Sequence, residues 1–316
     1  MADSEPTLAQ VGEFGVIDRI VAGRRQPPAV TLGPGDDAAV VTAADGRTVV
    51  STDMLVQDRH FRLDWSSPYD IGRKAIAQNA ADIEAMGATP TAFVVAFGAP
   101  PETPAAAAQA LSDGMWDEAA RCGAGIAGGD MVSAPLWVVS VTVLGDLGGR
   151  APVRRDGARP GDQLAVAGDL GRSGAGYSLW RNGIDAYPEL RQQHLVPRPP
   201  YGQGRVAADA AATAMTDVSD GLLADLGHLA AASGVLVDVS RQALRRDHEA
   251  LAGAAAATGT DAWDWVFGGG EDHALVATFP AAVPAGWRVI GRVRDGAAGV
   301  VVDGRAWQGN PGWQSY

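Results

Sequence analysis

Five segments of the sequence set carboxylates beside small residues, four of them after what reads as a short apolar strand. Gly33-Pro34-Gly35-Asp36-Asp37 holds paired acids in a glycine loop, and Val49-Val50-Ser51-Thr52-Asp53 and Ile126-Ala127-Gly128-Gly129-Asp130 each run through small residues to an aspartate. Ala214-Met215-Thr216-Asp217-Val218-Ser219-Asp220-Gly221 and Val266-Phe267-Gly268-Gly269-Gly270-Glu271-Asp272 repeat the arrangement. Strand ends with glycine loops are where ligands sit in α/β proteins, because backbone amides approach closely there. Taken one at a time, each segment also reads as a turn, since Asp and Gly are common turn residues. If the acids converge, each pair repels by roughly 4 kcal/mol at ~4 Å and an effective dielectric of about 20, and a cation has to meet them. Oxygen donors without clustered Cys or His favour Mg²⁺ or Ca²⁺ over Zn²⁺, and the calcium-loop spacing D-x-[DN]-x-[DN]-G is absent. Mg²⁺ usually shares its shell with substrate phosphates, so the expectation is a metal cluster drawn from both halves of the chain and a phosphate-bearing substrate.

Two common nucleotide sites are excluded. Lys74 is the single lysine and does not follow a glycine loop, so there is no P-loop, and no G-x-G-x-x-G follows a strand in a Rossmann context. A phosphate site here must use glycine amides, metal and arginine. Arg154 and Arg155 are candidates for a bidentate clamp, and equally read as an exposed linker pair.

The elements that must position these residues alternate between helix and strand. Strands are expected over residues 49–50, 93–97, 137–144, 162–168, 235–239, 274–279 and 288–293. Helices are expected over 104–122, 171–181, 202–214, 222–233 and 250–258. Gly148-Gly149-Arg150-Ala151-Pro152 punctuates the chain. The chain thus reads as α/β (mixed α+β) in two halves, 1–150 and 151–316. One further helix starts at Ser67-Pro68-Tyr69-Asp70, with a serine cap, Pro in the first turn and an acid three residues on, and stops at Gly87. On it Asp82 shares a face with Ile71, Ala75, Gln78 and Met86, while Arg73 and Glu84 lie opposite. No basic residue stands four positions away to pair with Asp82. It is either a hydrogen-bonded core aspartate or one that meets a cation.

The composition is that of a globular protein, with 47% hydrophobic and 20% charged residues. The net charge of −12 and the absence of basic tracts give nucleic-acid binding little support. No apolar run is long enough to span a membrane, and the acidic, polar N-terminus points away from export. Cys122, the lone cysteine, cannot form an intrachain disulfide, which fits a reducing cytoplasm.

In their order along the chain the motifs resemble those of the thiamine-monophosphate kinases, a family of the aminoimidazole-ribonucleotide-synthetase superfamily. The resemblance rests on Gly-Pro-Gly-Asp36-Asp37-Ala, Ser51-Thr52-Asp53, Asn79-Ala-Ala-Asp82-Ile-x-Ala-Met-Gly87, Gly128-Gly129-Asp130, Asp217-x-Ser219-Asp220-Gly-Leu and Gly269-Gly270-Glu271-Asp272, with Gly12-Glu13-Phe14 before them. It implies an N-terminal α/β domain that binds metal and ATP, a C-terminal α+β domain and a homodimer. It implies transfer from ATP to thiamine monophosphate with several Mg²⁺ ions, held by Asp37, Ser51, Thr52, Asp53, Asp82, Asp130, Asp217 and Asp220. ATP contacts would come from Gly129, Asp130, Arg155 and Ser219, and acceptor contacts from His60, Glu271 and Trp313. His60 also reads as a surface residue and Trp313 as a packing residue. Two positions depart from the family's pattern: Ala81 stands where serine is common, and Met131 where threonine is common. The Arg154-Arg155 pair leaves the arginine uncertain by one position.

The implied chemistry agrees with the residues. A phosphate acceptor is already ionised, so no general base is needed, and none is assigned in the motifs; the difficulty is bringing one anion to another. Within the superfamily, selenophosphate synthetase uses a Cys or selenocysteine and a lysine near its N-terminus, whereas Cys122 lies far along this chain. The hydrogenase-maturation relative ends in a reactive cysteine, and this chain ends Trp-Gln-Ser-Tyr. A non-catalytic Mg²⁺–nucleotide binder would keep the aspartates but could lose His60, Glu271 and Trp313.

Overall fold

The computed structural model describes residues 6–34 and 38–313. The chain divides into two compact units, one holding the chain to Ile83 together with Thr89–Gly149, the other Glu84–Ala88 and Arg150 onward.

The first unit contains α1 (Leu8–Val11), α2 (Glu13–Val21), β1 (Val30–Leu32), β2 (Val40–Val41), β3 (Val49–Val56), α3 (Pro68–Ala85, its last two residues in the second unit), β4 (Thr89–Ala99), α4 (Ala105–Arg121), β5 (Gly125–Ser133) and β6 (Val138–Asp146). Four strands form one sheet in the order β3-β6-β4-β5, with β4 and β5 parallel and the other pairs antiparallel. Parallel neighbours need a crossover, and α4 supplies it. Strand alternation gives the sheet two faces. Ser51, Asp53 and Leu55 pair with Val143, Val141 and Val139 on the face that meets α3. Val50, Thr52 and Met54 share the other face with Val94, Ala96, Asp130 and Val132. The β1–β2 hairpin covers one end of that second face through Val30, Ala39 and Val41.

Helix α3 begins as the cap residues predict: the Asp70 amide donates to Ser67 Oγ at 3.1 Å, and Gly87 follows its end with φ +73°. It crosses α4 at two glycines. A Cβ on Gly72 would lie 2.0 Å from the Leu111 carbonyl oxygen, and one on Gly114 would lie 2.0 Å from that of Tyr69. Only glycine allows so close an approach. Arg73 Nε then ties the helices by donating to Glu118 at 2.8 Å.

The second unit contains β7 (Gln163–Ala167), α5 (Arg172–Arg181), α6 (Pro188–Leu195), α7 (Gln203–Asp209), β8 (Ala214–Asp217), α8 (Leu222–Ser233), β9 (Leu236–Val239), α9 (Arg245–Thr258), α10 (Ala262–Gly268), β10 (Leu275–Phe279), β11 (Arg288–Arg294) and β12 (Gly299–Val302). Its six-stranded sheet runs β12-β9-β11-β7-β10-β8 and is antiparallel except for β9 with β12. β7 and β10 are buried along most of their length between two apolar clusters, one around Leu226, Val237 and Phe267, the other around Met215, Phe279 and Trp287.

Several boundaries differ from expectation. The helix expected over 202–214 stops at Asp209, because Ala211 takes a left-handed φ of 59° and Thr213 hydrogen-bonds Asp162, turning the chain into β8. The strand expected over 49–50 runs on through Ser-Thr-Asp to Val56. Gly128, Gly129 and Asp130 likewise lie inside β5 and not in a loop after it. Val266-Phe267, expected as the strand before the last acidic segment, instead ends helix α10, which Asp261 caps by accepting the Trp263 amide, and α1, α2, β1, β2, α6 and β12 lie outside the expected elements.

Candidate active site

In the first unit, α3 acts as a rail behind β3. Asp82, half-buried, accepts a hydrogen bond from Ser51 Oγ at 2.7 Å. One turn earlier, Asn79 Oδ1 accepts the Asp53 amide at 3.1 Å and Gln78 Nε2 donates to Asp53 Oδ2 at 3.3 Å. Ser51, Asp53 and Asp82 are therefore brought together. Thr52 is not: it faces the other side of the sheet, where its hydroxyl donates to the Val141 carbonyl at 3.0 Å. It could join the group only through its backbone oxygen. Asp130 stands apart as well. Asp53, Val141, Val95 and Gly129 form one row across the sheet, which puts the Asp53 and Asp130 backbones about 14 Å apart, at three strand spacings of ~4.8 Å. One ion cannot bridge them directly. Gly129 has a structural reason of its own, since a Cβ there would lie 2.0 Å from the Val95 carbonyl oxygen.

Asp37, with Gly35 and Asp36, lies outside the described residues. His60 sits in a tight turn after β3, where Asp58 takes φ 64° and the Val56 amide donates to His60 Nδ1 at 3.0 Å. That bond places the neutral ring's proton on Nε2.

In the second unit the candidates lie on one loop after β8 and on the segments that fasten it. Asp217, buried at the strand end, meets His273 Nδ1 at 3.1 Å. The Glu271 amide donates to the Ser219 carbonyl at 2.7 Å, and the Trp313 amide to the Asp220 carbonyl at 2.8 Å. The amides of Asp220 and Gly221 both donate to Asp225 Oδ2, at 3.0 and 3.1 Å. Burial raises the Asp220 pKa, and the Asp217 charge raises it further, while His228 and Arg155 oppose the shift. Burial, with the Asp217 charge beside it, pushes Asp225 up to about 7. This is an acidic loop whose charges a cation would relieve.

The two arginines separate clearly. Arg154 pairs in solvent with Asp156, whereas Arg155 Nε donates to Thr216 Oγ1 at 3.2 Å, next to Asp217. Glu271, with a left-handed φ of 64°, has Oε2 3.6 Å from His194 Nδ1, which also meets Ser173 Oγ at 3.1 Å. The Trp313 side chain is 61% exposed, so the packing reading does not hold for it.

Among the described residues, no group of three or more His, Cys, Asp or Glu side chains is placed to hold a metal ion. The donor chemistry nevertheless fits Mg²⁺, which typically takes one or two carboxylates and fills its octahedron with water and substrate phosphate. The pairs Ser51–Asp82 and Asp217–Asp220 are oxygen donors of that kind. Sequence reasoning missed His273, Asp225, His194, Gln78 and Asn79 as supporting residues. Two of them carried a signal: Asn79 as the first residue of the Asn-Ala-Ala-Asp82 motif, and Gln78 on the same helix face as Asp82.

Two family profiles match the chain: "AIR synthase related protein, N-terminal domain" over residues 35–147 and "AIR synthase related protein, C-terminal domain" over 159–304. Over all 316 residues the chain is 69% identical to a thiamine-monophosphate kinase of Mycobacterium tuberculosis and covers 95% of that protein. The chain belongs to the thiamine-monophosphate kinase family. A Corynebacterium glutamicum member is 44% identical over 98% of this chain and 95% of its own length. The fold matches the structure of AaThiL complexed with AMPPCP and TMP, with a TM-score of 0.79 at 30% identity, covering 99% of this chain and 100% of that one. A thiamine-monophosphate kinase from Stenotrophomonas maltophilia matches with a TM-score of 0.75 at 33% identity, over 92% and 95%. Hydrogenase maturation protein HypE shares the fold alone, with a TM-score of 0.72 at 19% identity.

Proposed function

We propose that this chain transfers the γ-phosphoryl group of ATP to thiamine monophosphate, giving thiamine diphosphate and ADP. The observation that carries the reading is the full-length 69% identity to a thiamine-monophosphate kinase. The fold match to a structure complexed with AMPPCP and TMP supports it.

In this reading a phosphate oxygen of the acceptor, ionised at neutral pH, attacks the γ-phosphorus in line. The new P–O bond forms as the bond to the β,γ-bridging oxygen breaks, and ADP leaves with that oxygen. No proton has to be removed. Ser51, Asp53 and Asp82, with Asp37 and the Thr52 carbonyl, would hold Mg²⁺ in the first unit, and Asp217 and Asp220 in the second. Asp130, on the far edge of the sheet from Asp53, would serve a different ion. Bound Mg²⁺ would supply charge neutralisation between the triphosphate and the acceptor's phosphate. Gly129, Asp130, Arg155 and Ser219 would contact ATP, Arg155 from a position fixed by Thr216. His60 Nε2–H, Glu271 and the exposed Trp313 would contact the acceptor, Trp313 by stacking on its cationic ring.

We further propose a cytoplasmic homodimer. The lone Cys122 is buried and has no second cysteine to form an intrachain disulfide, which suits a reducing compartment, and among the described residues no helix is long and apolar enough to cross a membrane. Val50, Met54, Val94 and Val132 are exposed on one face of the first unit's sheet, a surface suited to a second copy. Light scattering that gives the mass of one 32.5 kDa chain would reject the dimer.

The activity is tested by ADP release with thiamine monophosphate, with free thiamine and with neither. Release should require the monophosphate. Equal use of free thiamine would remove the anionic acceptor from the account.

A further inference from the structure

Of the 25 Lys and Arg side chains in this sequence, one is lysine. That lysine, Lys74, is 2% exposed, in the middle of α3. Its ammonium donates to the His60 backbone carbonyl at 2.9 Å. Lys74 stands one turn before Gln78, which holds Asp53, and two turns before Asp82, which holds Ser51. The residues at 74, 78 and 82 thus fasten three successive parts of one returning chain: the His60 turn, Asp53 and Ser51. Within the turn the Asp58 amide donates to the Phe61 carbonyl at 2.7 Å and the His60 amide to the Val56 carbonyl at 3.0 Å, and Gln57 ties its start to Trp137, its amide donating to the Trp137 carbonyl at 2.9 Å and its Oε1 accepting the Trp137 amide at 3.2 Å; the ammonium of Lys74 holds the His60 end.

A buried position that must meet a backbone carbonyl from a helix favours a compact ammonium on a flexible stem. A guanidinium is a wide planar fork made for carboxylates and phosphates. That difference accounts for a lysine at this position in a chain whose other 24 Lys and Arg side chains are all arginine. We propose that Lys74 is a positioning residue for the acceptor: its ammonium fixes the turn at residues 56–61 and so the direction in which His60 Nε2–H points. This rests on the reading above that His60 contacts the acceptor.

The test compares Lys74→Met, Lys74→Gln, Lys74→Arg, His60→Ala and the Lys74→Met/His60→Ala double variant in the full-length protein. KM for thiamine monophosphate, KM for ATP and kcat are measured, and ring signals of the five histidines are followed by NMR. Loss of a charge-assisted hydrogen bond should raise the acceptor KM about tenfold in Lys74→Met and leave the ATP KM within about twofold. The His60 ring signal should move while the other four stay in place. The double variant should be no worse for the acceptor than His60→Ala alone, and Lys74→Arg should not restore it. Lys74→Gln, which keeps a neutral donor, serves if Lys74→Met does not fold, with a smaller change of the same kind. Equal changes in both KM values, additive effects in the double variant, or an unmoved His60 signal would overturn the proposal. A silent His60→Ala defeats the reading of His60 and the proposal with it. A strong His60→Ala beside silent Lys74 variants defeats the role of Lys74 alone.

Discussion

Asn79→Ala tests how the first unit holds Asp53. Asn79 is 1% exposed; its Oδ1 accepts the Asp53 amide and its Nδ2 donates to the Ala75 carbonyl at 2.8 Å. Truncation leaves the Asp53 amide without that acceptor, which costs about 1–3 kcal/mol in a largely buried setting. The Ala75 carbonyl keeps its helical partner, so losing Nδ2 adds little. The void left by the amide adds roughly 1 kcal/mol. A loss of about 3 kcal/mol follows, which lowers Tm by roughly 6–12 °C in a domain of this size. Differential scanning calorimetry measures it. The same variant frees Asp53 to change direction, so the Mg²⁺ concentration for half-maximal rate should rise. A loss under about 0.5 kcal/mol with an unchanged Mg²⁺ response would refute the rail assignment.

Two further outcomes are expected. Asp53→Asn and Asp130→Asn should each lower kcat strongly at limiting Mg²⁺ while leaving Tm nearly unchanged, and full turnover in either would remove that residue from metal binding. Burial pushes the Asp272 carboxyl up to about 7 from 3.8, against the amides of Ser173 and Gly171, which favour its anion. The folded state therefore keeps a proton that the unfolded chain releases near pH 4. Stability from this group is present at low pH and is lost as pH rises through about 7, by an amount on the order of 4 kcal/mol. Urea unfolding at several pH values should show the decline, and Asp272→Asn should flatten it; an unchanged slope in the variant would contradict the assignment.

Much of the fold was legible because its signals are local. The Ser67 cap, the Gly87 stop and the apolar strands of the second unit are written within a few residues each. The candidate site was legible as a set of acids but not as a geometry. Strand alternation, which sends Ser51 and Asp53 one way and Thr52 the other, could be applied only once β3 was known to run through all three. The separation of Asp53 from Asp130 follows from strand order, which single-sequence pattern does not give. His273 beside Asp217 and His194 beside Glu271 join residues far apart in the chain, so no spacing announced them. Lys74 was visible as the only lysine, and its position behind His60 required the fold.

Direct phosphoryl transfer from ATP to thiamine monophosphate leaves no labelled protein at any stage. Rapid-quench analysis with γ-labelled ATP, Mg²⁺ and excess protein measures it in a single turnover. Label should pass to thiamine diphosphate at the rate at which ADP appears, with none on the denatured protein. Label retained on the protein after incubation with ATP alone, or released only as inorganic phosphate when the acceptor is present, would contradict it.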